Sequence, residues 1–495
     1  MAKSINYLAI DLGAESGRTM LGVLDEKGLS LSEISRFSNG PVRLPDGLHW
    51  DVLKLWGDIK AGMRMAAAQH PADIQSIGMD TWGVDFALLD RHGSLISNPY
   101  HYRDGRTDGM MAEAFQRMPR EQLFELTGIQ FMQINTLYQL LAMVTQQSST
   151  LETANTFLMI PDLFNYWLSG QIACEETDTT TTQCYDPINQ DWAYSLLEAM
   201  NIPARIFPKV VQPGNVLGML LPDLAEETGV GQIPVIATAS HDTGSAVAAI
   251  PAQNSHFAWI SSGTWSIMGV EVPEPVINPQ TLAYNLTNEG GVAGTWRLSK
   301  NIMGLWLVQE CRRTWNNEGE DLSYDEITHL AAQAEPFQAV IDPDYEEFLP
   351  PGDMPNRIRA YCKRTGQTQP QTKGAVLRCA LESIALKYRL VLEQLETVLG
   401  YHLNPIHIIG GGTKNNLLNQ FAADATGRTI VTGPVEATAI GNIIVQATAL
   451  GQFTSIQDAR KTVQRSFPLQ IFEPKNRSGW DDVYGKLSEV MKAHD

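Results

Sequence analysis

The sequence predicts an α/β protein built from two units of similar construction. Its 495 residues exceed what one hydrophobic core serves. An apolar strand, a small-residue turn and a second strand open the chain as YLAIDLGAESGRTMLGVLD, and the plan returns in mid-chain as FAWISSGTWSIMGVEV. Further strand-like runs and then helical stretches follow each hairpin, the order expected of an α/β domain. The seam falls near residue 250, giving units at 1–250 and 251–455, with 456–495 read as a polar, irregular, peripheral extension.

Within the first unit, IQSIGMDTWGVDFALLD is a buried-strand run, a small-residue turn and another strand. Residues 107–150 carry helical patterning, and IPVIATASHDTGSAVAAI supplies a strand, a polar turn and a small-residue helix. In the second unit, KGAVLRCALESIALKYRLVLEQLETVLG places apolar residues at helical spacing and stops at Gly400. PIHIIGGGTKNNLLNQFAADATG is then a strand, three glycines and a helix, and EATAIGNIIVQATALG is a further small-residue helix.

Composition narrows the function. At 43% hydrophobic and 18% charged residues, neither a disordered nor a fibrous chain is indicated. Asp and Glu (55) outnumber Lys and Arg (36), and the resulting charge of −19 opposes partnership with nucleic acid or an anionic membrane. No apolar run nears the roughly 18 residues of a membrane span, and Asp11 interrupts YLAI at once, so a cytoplasmic, unexported protein is expected. Five cysteines without CxxC or His spacing suggest buried thiols rather than a disulfide framework or zinc site.

Five segments offer chemistry, and each has a plain structural alternative. In Asp11-Leu12-Gly13-Ala14-Glu15-Ser16-Gly17-Arg18, glycines admit a phosphate to the backbone and a strand-end carboxylate suits hydrated Mg²⁺; turn geometry explains the same residues. Ser261-Ser262-Gly263-Thr264-Trp265-Ser266 repeats that design, with the Thr264 hydroxyl as a phosphate contact or simply a common Ser-Gly turn. IHIIGGGTKNNLLNQ allows flat packing of a base on glycine backbone or is a tight strand-to-helix turn; it is not GxGxxG, and no GxxxxGK[ST] occurs in the chain. In Ser240-His241-Asp242-Thr243-Gly244, Asp242 is either a helix cap or the carboxylate that phosphoryl transfer requires. Asp80-Thr81-Trp82-Gly83-Val84-Asp85 offers an aromatic and a glycine beside carboxylates, suited to a sugar, unless Trp82 is core. Lys300, Asn301 and Gln309 are weaker polar candidates that a helix surface explains nearly as well.

Taken in order, DLGAESGR, DTWGVD, SHDTGSA, SSGTWS and GGGTKNNLLNQ resemble the FGGY carbohydrate kinases of the actin-like ATPase superfamily, and YRDGRT, TGIQFMQINTLYQL, NEGG and KNIMGLWL extend the likeness over nearly the whole chain. The resemblance implies two ribonuclease-H-like lobes around a central cleft, with sugar mainly on the N-terminal lobe and ATP mainly on the C-terminal one. Carried over by position, Ala14, Glu15, Ser16, Gly17 and Arg18 border the ATP phosphates, with Thr264, Gln309 and Gly411 as further nucleotide contacts. Gly83, His241, Asp242, Thr243 and Asn301 line the ketose site, Asp242 accepts the proton of the sugar hydroxyl, and Asp11 meets Mg²⁺ through water. Glu15 stands where the family pattern has Ser. Cys362 and Cys379 keep a family-like spacing that leaves one disulfide open. The implied reaction moves the γ-phosphoryl group of MgATP to the primary hydroxyl of a ketose, L-rhamnulose first, with L-fuculose, L-xylulose or an actin-like ATPase without a sugar substrate as alternatives. A monomer or weak homo-oligomer is expected.

Overall fold

The computed structural model of the chain describes residues 4–70 and 74–492. They fall into two compact units, one of residues 1–251, 271–298 and 437–467, the other of 252–270, 299–436 and 468–495. The segment 456–495 accordingly contributes to both, with helix Ile456–Ser466 in the first unit and helix Ser478–Lys492 in the second. Helix Ile456–Ser466 buries Ile456, Ala459 and Val463, a stripe too thin to stand out in so polar a sequence.

The first unit is organised on a six-stranded sheet in the order Asn215–Met219, Pro234–His241, Ile74–Thr81, Ile5–Leu12, Ser16–Asp25, Gly28–Ser38. The three central strands run parallel, and the opening hairpin continues the sheet antiparallel. Every residue of Ile5–Leu12 after Ile5 is buried. Successive side chains on a strand point to opposite faces, so this strand is covered on both, which is why it reads as a continuous apolar run. Helices Asp242–Ala248 and Ala437–Ala449 touch through backbone: a Cβ on Gly441 would lie 1.7 Å from the carbonyl oxygen of Ser245. Only glycine permits that approach.

The second sheet has seven strands in the order Thr287–Gly290, Trp296–Met303, Trp265–Val272, Ala258–Ser262, Ile406–Ile409, Ile430–Thr432, Gln470–Phe472. Ala258–Ser262, Ile406–Ile409 and Ile430–Thr432 are parallel neighbours. Helix Lys373–Leu399 begins with Thr372 accepting from the Ala375 amide and ends, as its sequence predicts, at Gly400 in left-handed conformation. All five cysteines are buried free thiols, and Cys362 and Cys379 share a hydrogen bond. Among the described residues no helix is long and apolar enough to cross a membrane.

Candidate active site

Three acidic residues gather where the parallel strands of the first unit end, the edge at which α/β sheets present ligand-binding groups. Register aligns Asp11 with Asp80 across two strands, and Pro234–His241, paired to Thr81 at its last residue, delivers Asp242 at the start of the following helix. Asp80 is fully buried. Its Oδ2 accepts Asn442 Nδ2 at 2.6 Å, while Oδ1 has no hydrogen-bond partner. Gln446 and Ser76 extend this chain, Gln446 Nε2 donating to Asn442 Oδ1 at 2.7 Å and Ser76 Oγ to Gln446 Oε1 at 2.7 Å. Burial first, then the charges of Asp11 and Asp242, raise Asp80 well above the usual carboxylate range.

Asp242 differs from Asp80 in being reachable: its side chain is 34% exposed. Thr243 Oγ1 donates to its Oδ1 at 3.2 Å, and the helix it opens has no side-chain cap. The turn ahead of it is held from behind. Glu175, fully buried, accepts the Ser240 amide at 3.0 Å and the Thr177 hydroxyl at 2.6 Å, and Thr177 Oγ1 in turn accepts the His241 amide at 3.1 Å. Burial pushes Glu175 up to about 7 against the hydrogen bonds it receives from Thr177 and Ser240. Beside this turn lies a buried ion pair that motif reading does not find. Arg297 Nη2 is 3.2 Å from Glu289 Oε2 and 3.0 Å from His241 Nδ1. Burial raises the Glu289 carboxyl, but its neighbours, the Arg297 charge foremost, more than reverse this and hold it below its ordinary range.

In the opening hairpin, Asp11 is ion-paired with Arg18 directly opposite, at 2.5 Å. Gly13 closes the turn by donating its amide to the Ser16 carbonyl at 2.9 Å. Glu15 is exposed, while Ala14, Ser16 and Arg18 are half-buried around it. A Cβ on Gly17 would lie 2.2 Å from the Phe37 ring, so that glycine serves packing. Among the described residues no group of three or more His, Cys, Asp or Glu is arranged to cage a metal. Mg²⁺, however, is held by one or two carboxylates with water and phosphate completing the shell, and Asp11 with the orphaned Asp80 Oδ1 nearby fits that sparse demand.

The DTWGVD segment is more structural than its sequence suggests. Trp82 is 6% exposed, packs on Trp50 with ring centroids 4.0 Å apart, and gives its indole N–H to Asp85 at 3.0 Å, so it belongs to the core. Asp85 also accepts from Trp50, Gln139 and the Tyr102 amide. Gly83 stays half-exposed beside Thr181, and Val84, at φ 67°, is a β-branched residue in left-handed conformation. Burial lifts Asp85 to about 6, although its bonds from Gln139, Trp50 and Trp82 and the Arg106 charge pull the other way. The folded protein therefore holds this proton more tightly than the unfolded chain, and the group's contribution to stability falls as pH rises from about 4 to about 6. Denaturant titrations of Asp85→Asn should show a shallower decline across that window, and a slope identical to the parent's would refute the assignment.

The second unit presents a matching edge. Ser261 and Ile409 align at the ends of neighbouring parallel strands, placing the SSGT turn beside the glycine run. Gly410 and Gly412 pack against Ser262, where a Cβ on Gly412 would meet the hydroxyl oxygen at 2.0 Å, whereas Gly411 faces open space. Thr264 is half-exposed, and its carbonyl accepts the Trp306 amide at 3.1 Å, tying the turn to helix Trp306–Asn317. Gln309 lies on that helix, its Oε1 buried without a hydrogen-bond partner. Asn301 is half-buried on strand Trp296–Met303. Asp11, Ala14 to Arg18, Gly83 and His241 to Thr243 thus belong to the first unit, and Thr264, Asn301, Gln309 and Gly411 to the second.

Each of the two α/β units thus offers a hairpin turn at the ends of parallel strands. Residues 6–249 match the N-terminal domain, and residues 258–450 the C-terminal domain, of the FGGY family of carbohydrate kinases. The chain belongs to that family, as a sugar kinase. It is 45% identical to the rhamnulokinase of Bacteroides thetaiotaomicron over 97% of this chain and 98% of the relative, and 41% identical to that of Oceanobacillus iheyensis over 95% and 99%. Among solved structures, the ligand-bound xylulose kinase of Lactobacillus acidophilus shares the fold with a TM-score of 0.82 at 16% identity, over 99% of this chain and 98% of that one. Plasmodium falciparum glycerol kinase with ADP shares it at a TM-score of 0.78 and 16% identity, over 99% and 97%.

Proposed function

We propose that the enzyme transfers the γ-phosphoryl group of ATP to the primary 1-hydroxyl of L-rhamnulose, giving L-rhamnulose 1-phosphate in L-rhamnose breakdown. One geometric observation carries the chemistry: of the three strand-end acids, Asp242 has the side chain open enough to meet a sugar hydroxyl, beside a histidine and a threonine hydroxyl. The substrate rests on relatives 40–45% identical over nearly the whole chain, all of them rhamnulokinases.

Asp242 accepts the proton as the hydroxyl attacks, and His241, Thr243, Gly83 and Asn301 orient the ketose. Backbone amides of Ala14 to Arg18 border the phosphates, with Thr264, Gln309 and Gly411 as nucleotide contacts; the open backbone at Gly411 supports a flat approach. When bound, Mg²⁺ neutralises phosphate charge, and Asp11 through water, backed by Asp80, would hold it. Chelation is expected to abolish turnover and added Mg²⁺ to restore it, with Asp11→Asn needing about 10- to 100-fold more metal. A metal requirement unchanged in that variant would remove Asp11 from the site. The protein is proposed to work in the cytoplasm as a monomer or weak homo-oligomer.

A coupled assay of ADP release across L-rhamnulose, L-fuculose and L-xylulose tests class and substrate together. The highest kcat/KM is expected with L-rhamnulose. ATP hydrolysis indifferent to every ketose would overturn the reading.

A further inference from the structure

His241 Nδ1 lies 3.0 Å from Arg297 Nη2 in hydrogen-bonding geometry. A guanidinium has five N–H donors, no acceptor, and does not lose its charge in proteins. The imidazole nitrogen facing it must therefore supply the lone pair, which places the hydrogen of the neutral ring on Nε2. Nε2 is the nitrogen directed at the catalytic carboxylate, 3.5 Å from Asp242 Oδ1. Glu289 Oε2 approaches the same Nδ1 only to 3.4 Å and without hydrogen-bond alignment, whereas Arg297 Nη2 meets it at 3.0 Å in hydrogen-bonding geometry, so the guanidinium is the better placed of the two. Glu289 Oε2 sits 3.2 Å from Arg297 Nη2 and balances the charge of a residue that is fully buried. The guanidinium is fixed in turn, donating Nε to the Gly290 carbonyl at 2.8 Å and reaching the Thr177 carbonyl at 3.4 Å.

We propose that Arg297 is a positioning residue for phosphoryl transfer: by donating to His241 Nδ1 it locks the imidazole in its Nε2–H tautomer and aims that hydrogen at Asp242 and the sugar oxygen Asp242 serves, with Glu289 as the counter-charge. The assignment rests on the reading of Asp242 as proton acceptor only for its catalytic consequence; the tautomer stands apart from it. An Nε2–H beside the carboxylate donates to the ketose and steadies the attacking oxygen against Asp242. With the hydrogen on Nδ1, the ring would offer a lone pair to the carboxylate, and two acceptors would face each other across the sugar site.

The test is ¹⁵N–¹H correlation spectroscopy of the full chain with labelled histidine at neutral pH, the His241 signals being those lost in His241→Asn. The parent protein is expected to show His241 protonated at Nε2 alone. Arg297→Met, and the charge-balanced Arg297→Met/Glu289→Gln pair should the single variant not fold, are expected to shift the ring to mixed tautomers. Either should also lower kcat about 10- to 100-fold, the scale for groups that orient a functional residue from behind. Arg297→Lys, which keeps a cationic donor, should recover part of the loss. An Nδ1–H ring in the parent protein overturns the proposal whatever the kinetics. So does a variant with the parent's histidine pattern and turnover. If instead the tautomer shifts as expected while Asp242→Asn stays active, Arg297 fixes the ring as proposed and the reading of Asp242 is what fails.

Discussion

Asp242→Asn is expected to bind ATP and ketose with near-parent affinity and to lose about 10²- to 10⁴-fold in kcat, the usual span for a positioned acid or base. Asparagine keeps the shape and can still accept the Thr243 hydroxyl, but it cannot take a proton from an alcohol. Other carboxylates nearby do not substitute. Asp80 is fully buried with one oxygen committed to Asn442, and Asp11 is ion-paired with Arg18. Single-turnover measurements with saturating substrates isolate the chemical step, and turnover within about threefold of the parent would strip Asp242 of its role.

The second large effect concerns packing. Gly441 lies inside helix Ala437–Ala449, where intrinsic propensity alone favours alanine over glycine by about 1 kcal/mol. The backbone of helix Asp242–Ala248 reverses that expectation, because the added Cβ would fall 1.7 Å from the Ser245 oxygen, far inside contact distance. Carbonyl oxygens do not rotate away as side chains do. Gly441→Ala should therefore destabilise the first unit by about 1–3 kcal/mol or more, as overpacking does. It should also depress kcat, since the displaced helix carries Asp242 at its first residue. A thermal transition equal to or above the parent's would show that the two helices separate freely.

Legibility followed the range of the interactions. The hairpins, the Gly400 helix stop and the placement of Asp242 after a buried strand depend on neighbours within a few residues, and the sequence shows them. Glu175 acts on amides about 65 positions away, at Ser240, and Arg297 reaches back 56 positions to His241. No local pattern announces such partners, although the run CEETDTTTTQC is unusual enough in its acids and hydroxyls to invite the question. Trp82 shows the opposite difficulty. An indole beside glycine and carboxylates suits a sugar platform, but the same carboxylate can draw the indole inward, and Asp85 does so with both Trp82 and Trp50. For Asp242 the sequence admits a cap or a base; the helix it opens carries no side-chain cap and its carboxylate is part-exposed, which rules out the cap and leaves the base to the turnover measurement above.

Val84 carries a consequence for recognition. A valine held at φ 67° costs on the order of 1–3 kcal/mol, and its amide and carbonyl are each clamped by a threonine hydroxyl, from Thr181 and Thr136. The bend next to Gly83 thus has its shape before any guest arrives, and the ordering that binding ordinarily demands has been met during folding. If Gly83 lines the ketose site as proposed, rival ketoses would be told apart by how well they match a fixed contour, not by how far they can mould it.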